Sequence, residues 1–167
     1  MPSAHRAAIL TAPGQPLSIQ DVDTHHPLPN EILIRNYCIA IQPLDAKILI
    51  SAYGLASSLS YPAILGSSGA GLVEEVGSDV TNLQVGDRVV FDTKAYVDVD
   101  GEVNRRQGTW QQLVISRADT AAKVGSFPRF PPPSKGTFLN SSQLTIFRLT
   151  THPFPKQSLK TFLSKPQ

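Results

Sequence analysis

All thirteen acidic residues of this 167-residue chain lie before position 124. Residues 1–123 set nine Lys/Arg against those thirteen Asp/Glu, a net of −4, whereas residues 124–167 carry six Lys/Arg and no acid, a net of +6. The same stretch holds seven of the fourteen prolines and six of the seven phenylalanines, yet none of the four tyrosines. A like-charged segment punctuated by proline and lacking amphipathic period cannot offset its chain entropy by ordered burial. The break predicts a folded body over residues 1–123 and a basic, Pro/Phe-rich, poorly structured tail over residues 124–167. A body of that length suits one domain rather than two.

Composition narrows the function classes. A hydrophobic share of 41% suits a globular core, and no apolar run approaches the roughly 20 residues that span a bilayer. The opening Met1-Pro2-Ser3-Ala4-His5-Arg6 is unlike a secretory leader. A single cysteine, Cys38, excludes an intramolecular disulfide framework and a Cys-rich zinc site, so a cytoplasmic setting is expected. The overall charge of +2 is too slight to draw the chain to nucleic acid or to a membrane surface.

Within the body, short apolar segments alternate with turn residues. Ala7–Leu10 stops at Ala12-Pro13-Gly14-Gln15-Pro16. Leu17–Val22 has the period of a half-buried strand. His25-His26-Pro27-Leu28-Pro29-Asn30 breaks it, and the Ile-rich Glu31–Ile41 predicts a long central strand. Pro43–Leu49 predicts one or two helical turns, with Pro43 supplying the fixed φ of a first-turn position. Ser51–Tyr61 predicts a surface loop. Gly69–Val76, Gly86–Phe91 and Gly108–Ile115 follow as strands bounded by Gly or Asp, and Ala118–Lys123 begins another. Many short strands with one brief helix predict a mainly β fold, a small and partly open barrel.

Several local motifs have bland readings. Gly66-Ser67-Ser68-Gly69-Ala70-Gly71 superficially suggests a phosphate loop. A dinucleotide fingerprint spaces its glycines as Gly-x-Gly-x-x-Gly between a strand and a helix, whereas the strand-like Leu72-Val73-Glu74-Glu75-Val76-Gly77 follows here. Close backbone packing around a strand is expected instead. His25-His26 has no second His or Cys at ligand spacing, and adjacent side chains of an extended segment diverge, so a solvated turn is expected. Cys38 is expected to be a small buried hydrophobe. Lys47 beside Asp45 reads, taken alone, as an ordinary surface pair.

The linear order of the segments adds a further reading. Asn30-Glu31-Ile32-Leu33-Ile34-Arg35 leads to Ile41-Gln42-Pro43-Leu44-Asp45-Ala46-Lys47. Pro62-Ala63-Ile64-Leu65-Gly66-Ser67-Ser68-Gly69-Ala70-Gly71-Leu72-Val73-Glu74-Glu75-Val76-Gly77 and Val85-Gly86-Asp87-Arg88-Val89 come next. Gly108-Thr109-Trp110-Gln111-Gln112-Leu113-Val114 closes the series. Over residues 5 to 123 this order resembles the N-terminal, GroES-like (alcohol dehydrogenase-like) domain of medium-chain dehydrogenases/reductases. The branch it resembles is that of the zinc-independent, NADPH-dependent, trans-acting enoyl reductases and their quinone-oxidoreductase-like relatives. The fold implied is a GroES-like, partly open β-barrel with one or two short helices, followed by the tail.

The resemblance implies a division of labour in which NADPH supplies a hydride to the β-carbon of an activated alkene and the protein orients both partners. A small-molecule substrate is the implied partner, and its developing enolate calls for donors or a proton source nearby. Leu44-Asp45-Ala46-Lys47 matches a family stretch at the cofactor cleft, which makes these four the candidate cofactor-binding residues. Lys47 is the candidate for a phosphate or ribose contact, or for a donor near the reacting carbonyl. Asp45 is the candidate for fixing Lys47 by a charge-assisted hydrogen bond. Both are the candidate catalytic residues. Zinc alcohol dehydrogenases have Gly-His-Glu where this chain reads Gly66-Ser67-Ser68, a catalytic Cys where it runs through Ile41-Gln42-Pro43, and a four-Cys lobe that has no counterpart here. A serine hydroxyl is a poor Zn²⁺ ligand, so no zinc is expected.

Family members continue past a strand like Ala118–Lys123 into a helix and a dinucleotide-binding domain. From Val124 this chain instead reads Gly125-Ser126-Phe127-Pro128-Arg129-Phe130-Pro131-Pro132-Pro133, and three consecutive prolines favour extended polyproline II. The expectation is a truncated family member, inactive alone, whose residues 124–167 are not family sequence, as an unspliced intron or a frameshift would give. One alternative is a non-catalytic GroES-like binding module whose basic, proline-rich tail takes an acidic or SH3-like partner. Another is a half-enzyme that pairs with a separate cofactor domain.

Overall fold

The computed structural model describes residues 3–51, 53–54, 59–97 and 101–125. The expected tail lies outside the described residues except for Val124 and Gly125. In chain order the elements are β1 (Ala4–Leu10), β2 (Ser18–Asp23), β3 (Glu31–Ile39), α1 (Pro43–Ser51), β4 (Ala63–Ile64), β5 (Ser68–Val76), β6 (Arg88–Asp92), α2 (Glu102–Gln107), β7 (Leu113–Arg117), a 3₁₀ turn (Ala118–Thr120) and β8 (Ala121–Lys123). They form a three-stranded sheet, β2-β1-β4, and a five-stranded sheet, β7-β3-β5-β6-β8.

The five-stranded sheet explains the mainly β, partly open barrel that the sequence predicts. Its two outermost strands, β7 and β8, are consecutive in sequence and joined only by the 3₁₀ turn. The sheet must therefore curl until its edges approach, and it wraps Ile32, Ile34, Val73, Leu83, Val89, Phe91, Val114 and Ala118. All of its pairings are antiparallel. The edges are not hydrogen-bonded to each other, so the barrel stays open. Pairing with β6 runs on past β8, where Val124 N–H donates to the Arg88 carbonyl at 2.8 Å.

β3 is apolar on both faces because both are covered. Ile32 and Ile34 face the curled interior, while Leu33 packs with Leu113 and Ile115 on the other side. The strand stops at Ile39, two residues before the predicted Ile41, because Ala40 N–H turns to the Ser68 carbonyl at 3.0 Å. The smaller sheet joins the larger through the segment ahead of β7: Ala8 N–H donates to Trp110 O at 2.9 Å and Gln112 N–H to Arg6 O at 3.0 Å. Between them lies a second core, which includes Leu10, Ile48, Ile64, Leu65, Tyr96 and Trp110.

Four local expectations are corrected. β2 is an edge strand, paired only with β1, and Ile19 is exposed on it rather than half-buried. Strand geometry begins at Leu113 rather than Gly108, because Thr109 and Trp110 N–H groups go to Gly66 and Leu65. α1 runs to Ser51, two residues beyond the predicted Leu49, with the Ser51 hydroxyl on Lys47 O at 3.1 Å. α2 is the second of the one or two short helices expected, at a place the sequence did not mark, since Glu-Val-Asn-Arg-Arg-Gln has a single apolar residue and no helical period. It is held instead by fully buried Asn104, whose amide accepts from Ile64 N and donates to Ile64 O and Ala95 O at 2.8–2.9 Å. Such a satisfied buried amide is worth roughly 1 kcal/mol per bond, and more is lost if its partners are left bare.

Among the described residues no helix is long and apolar enough to cross a membrane.

Candidate functional site

Sequence reasoning points to the first turns of α1. Pro43 occupies the first helical position, where its missing N–H is no loss. Gln42 precedes it, and the Asp45 carboxylate reaches back to accept Gln42 N–H at 2.7 Å, while Asp45 N–H donates to Gln42 O at 3.0 Å. This is one half of a capping box: the Asp45 side chain satisfies the orphan Gln42 N–H, while the Gln42 side chain is turned to Ser68.

The same geometry separates the four sequence candidates. Leu44, Ala46 and Lys47 lie on the exposed side of α1, with the Lys47 ammonium 4.5 Å from the centroid of the Tyr53 ring. Asp45 points the other way and is 1% exposed. Its second oxygen accepts a short hydrogen bond from the Tyr96 hydroxyl, which itself accepts from Gly66 N–H. Asp45 and Lys47 therefore form neither a surface pair nor an ion pair. The carboxylate is turned to Gln42 and Tyr96, and the ammonium lies over an aromatic face.

Electrostatics follow from this burial. Desolvation pushes the Asp45 carboxyl above its ordinary range, opposed by the Gln42 N–H and Tyr96 O–H that stabilise the anion. Burial, then the neighbouring Asp45 charge, holds the Tyr96 phenol far above its usual value, so it stays a neutral donor.

A second set of contacts binds α1 to the strand entering β5. Gln42 Nε2 donates to Ser68 Oγ at 2.9 Å, and the Ser68 hydroxyl donates in turn to Asp92 Oδ1 at 3.1 Å. Asp92 Oδ1 also accepts Thr93 N–H at 2.9 Å. Among the described residues the Ser67 hydroxyl has one hydrogen-bonding side-chain neighbour, Ser68 Oγ at 3.4 Å, while its carbonyl accepts Thr93 N–H at 2.7 Å. The Gly66–Gly71 stretch passes into β5 rather than into a helix, as the sequence predicts.

Gln42 and Ser68 belong to motifs the sequence displays, but Tyr96 and Asp92 carry no local signal. Tyr96 lies 51 residues from Asp45, in a turn before α2. Cys38, expected buried, is half-buried in β3, and desolvation raises its thiol pKa. His26 is exposed and its Nδ1 lies 3.0 Å from Glu75 Oε2, while His25 is half-buried. Among the described residues no group of three or more His, Cys, Asp or Glu side chains stands together where it could hold a metal ion.

Comparison with known proteins supplies a family. Residues 28–126 match the family model described as the alcohol dehydrogenase GroES-like domain. A trans-enoyl reductase of Aspergillus flavipes is 43% identical over 91 residues, 54% of this chain and 26% of that protein. A zinc-binding alcohol dehydrogenase domain-containing protein of Emericella nidulans is 40% identical over 85 residues, 50% of this chain and 26% of that protein. Among solved structures, the Escherichia coli quinone oxidoreductase complexed with NADPH superposes with a TM-score of 0.57 at 26% identity, covering 72% of this chain and 33% of that one. The aligned part of the chain thus spans about a quarter of these two curated relatives.

Proposed function

Because the chain belongs to the alcohol dehydrogenase GroES-like domain family, we propose that it is the substrate-side domain of a cytosolic, zinc-independent, NADPH-dependent oxidoreductase acting on an activated carbon–carbon double bond. The observation that carries the proposal is the donor set beside α1. It consists of the Ser67 and Ser68 hydroxyls, the Gln42 amide and one carboxylate, Asp92. Zinc binds thiolate, imidazole and clustered carboxylates, so this set does not fit it, and no step is derived through a metal. A neutral hydroxyl donor on this strand instead suits a carbonyl oxygen that gains negative charge, with the Gln42 amide and the Ser68 hydroxyl already engaged in holding the strand. The likeness to trans-enoyl reductases supports the alkene as substrate class.

The dinucleotide fits this chain only along one wall. Lys47 is an exposed cation on α1, suited to a phosphate or carbonyl oxygen. No described segment offers the glycine-rich strand-to-helix turn that holds a pyrophosphate. The remaining wall belongs to a second domain. When bound, NADPH supplies the hydride. The chain's own residues do the rest: α1 presents Lys47, the Gly66–Ser68 strand presents hydroxyls, and Tyr96 with Asp45 keeps the two apart at a set distance.

Two measurements test the proposal. Titrated alone, the full chain binds NADPH only in the millimolar range, about −4 kcal/mol, because one wall covers little of the ligand. Mixed with the separately expressed dinucleotide domain of the A. flavipes enzyme, it oxidises NADPH when an unsaturated thioester is added. Lys47→Ala lowers that rate or the cofactor affinity by about tenfold or more, roughly 1.4 kcal/mol. Micromolar binding by the chain alone, or turnover indifferent to the alkene, overturns the proposal.

A further inference from the structure

The hydrogen bonds around α1 close into a ring. Starting at Gln42, its N–H donates to Asp45, which accepts from the Tyr96 hydroxyl, which accepts from Gly66 N–H. The backbone then runs through Ser67 to Ser68, whose hydroxyl accepts from the Gln42 side chain at 2.9 Å and so returns to the start. The helix start is tied to this strand at two points that flank Ser67 on either side. Both tying side chains are consumed by the ring. The Tyr96 hydroxyl has a donor and an acceptor, and the Ser68 hydroxyl, receiving the Gln42 amide, spends its proton on Asp92.

Ser67 is the exception. It is half-buried, it lies between the two tied positions, and among the described residues its hydroxyl has only the weak 3.4 Å contact to Ser68. Its backbone is fixed on the far side as well, by Thr93 N–H on the Ser67 carbonyl at 2.7 Å. A hydroxyl whose backbone is immobilised, and whose own proton is nearly unspent, is a preorganised donor.

We propose that the Ser67 hydroxyl is the hydrogen-bond donor to the substrate's carbonyl oxygen, and that Tyr96 and Gln42 are positioning residues that hold it in place beside α1. The assignment rests on the reductase function proposed above. Tyr96 acts at a distance of one backbone unit: its hydroxyl fixes Gly66 N–H, and Gly66 fixes Ser67. Gln42 acts from the other side, through Ser68. Ser67 acts as donor only, so no bond to the substrate forms or breaks at this residue.

The full chain, isotopically labelled for NMR, tests this with the crotonyl thioester of N-acetylcysteamine as probe. In the wild-type chain the probe shifts the Gly66, Ser67 and Ser68 amides with millimolar affinity. Ser67→Ala weakens that affinity by about threefold or more, as expected for one lost neutral hydrogen bond. Tyr96→Phe keeps the ring packing and the melting temperature within a few degrees. It weakens the probe similarly, speeds exchange of the Gly66 amide by about tenfold relative to other β5 amides, and moves the Asp45 titration upward. Equal probe affinity in wild type and Ser67→Ala overturns the donor role. Unchanged Gly66 exchange and probe affinity in Tyr96→Phe overturn the positioning role. If the wild type does not bind the probe while Tyr96→Phe still frees the Gly66 amide, the ring stands and the reductase function, with the donor role that rests on it, is overturned.

Discussion

Gly66 sits where the core around Leu65 and Trp110 meets the candidate site, and replacing it with alanine isolates one steric cost. Its φ is +90°, in the region that side-chain-bearing residues avoid. A Cβ there would stand 2.1 Å from Thr109 Oγ1, 2.4 Å from Trp110 Cδ1 and 2.8 Å from Trp110 Nε1. Thr109 is 0% and Trp110 6% exposed, so neither side chain can swing into solvent. The backbone conformation alone costs about 1–2 kcal/mol for a non-glycine residue. Overfilling a packed interior adds about 1–3 kcal/mol. Gly66→Ala should therefore destabilise by about 2–5 kcal/mol, a large share of the roughly 5–15 kcal/mol that holds a domain folded. Gly86 provides the control, since it shares the φ of +90° but a Cβ there meets nothing within 4 Å. Gly86→Ala should cost only the conformational part, about 1–2 kcal/mol. Trp110 is the chain's one tryptophan, so urea unfolding followed by its fluorescence reads both variants, and for Gly66→Ala it reads at the perturbed point itself. Equal costs for the two substitutions, or a cost below about 1 kcal/mol at Gly66, would refute the close-packing account of this strand.

Other outcomes follow from the same structure. Glu31 and Arg106 pair at 2.5 Å with side chains only 11% and 12% exposed, and Glu31 also accepts Leu28 N–H at 3.0 Å. Glu31→Gln should cost about 3–5 kcal/mol in denaturant unfolding, and a cost near zero would show that water already screens the pair. Burial lowers the pKa of His5, which is held between Thr24 and Gln111, below the 6.5 of a free imidazole. A base with a depressed folded pKa binds its proton preferentially when unfolded, so stability should fall as the pH drops below about 6.5. His5→Gln should flatten that fall, leaving the part due to His25, whose pKa is lowered by burial and by Arg106. Protein stripped of metal and reloaded with Zn²⁺ should retain no stoichiometric, chelator-resistant zinc by elemental analysis; retention of one equivalent would mean that donors outside the Ser67 strand assemble a site.

The sequence by itself determined what depends on neighbours along the chain. Alternation and β-branched runs located β1, β3, β5 and β6 to within two or three residues, and Pro43 marked the first turn of α1. The glycine spacing at Gly66–Gly71 excluded a phosphate loop, and the order of the motifs pointed to the family that residues 28–126 match. Only the tertiary structure decided which way each polar side chain faces. Asp45 and Lys47 are two residues apart on a nine-residue helix, and nothing local tells which one is buried. The choice was made by Tyr96, which supplies a hydroxyl from 51 positions away and so makes burial of a carboxylate tolerable. α2 was illegible for the same reason. Its fully buried residue, Asn104, is satisfied by Ile64, 40 positions away, and a polar residue in a polar hexapeptide carries no sign of the core it will enter. Periodicity records which face a segment turns inward, whereas hydrogen-bond partners across the chain are fixed only when strands pair and the sheet curls.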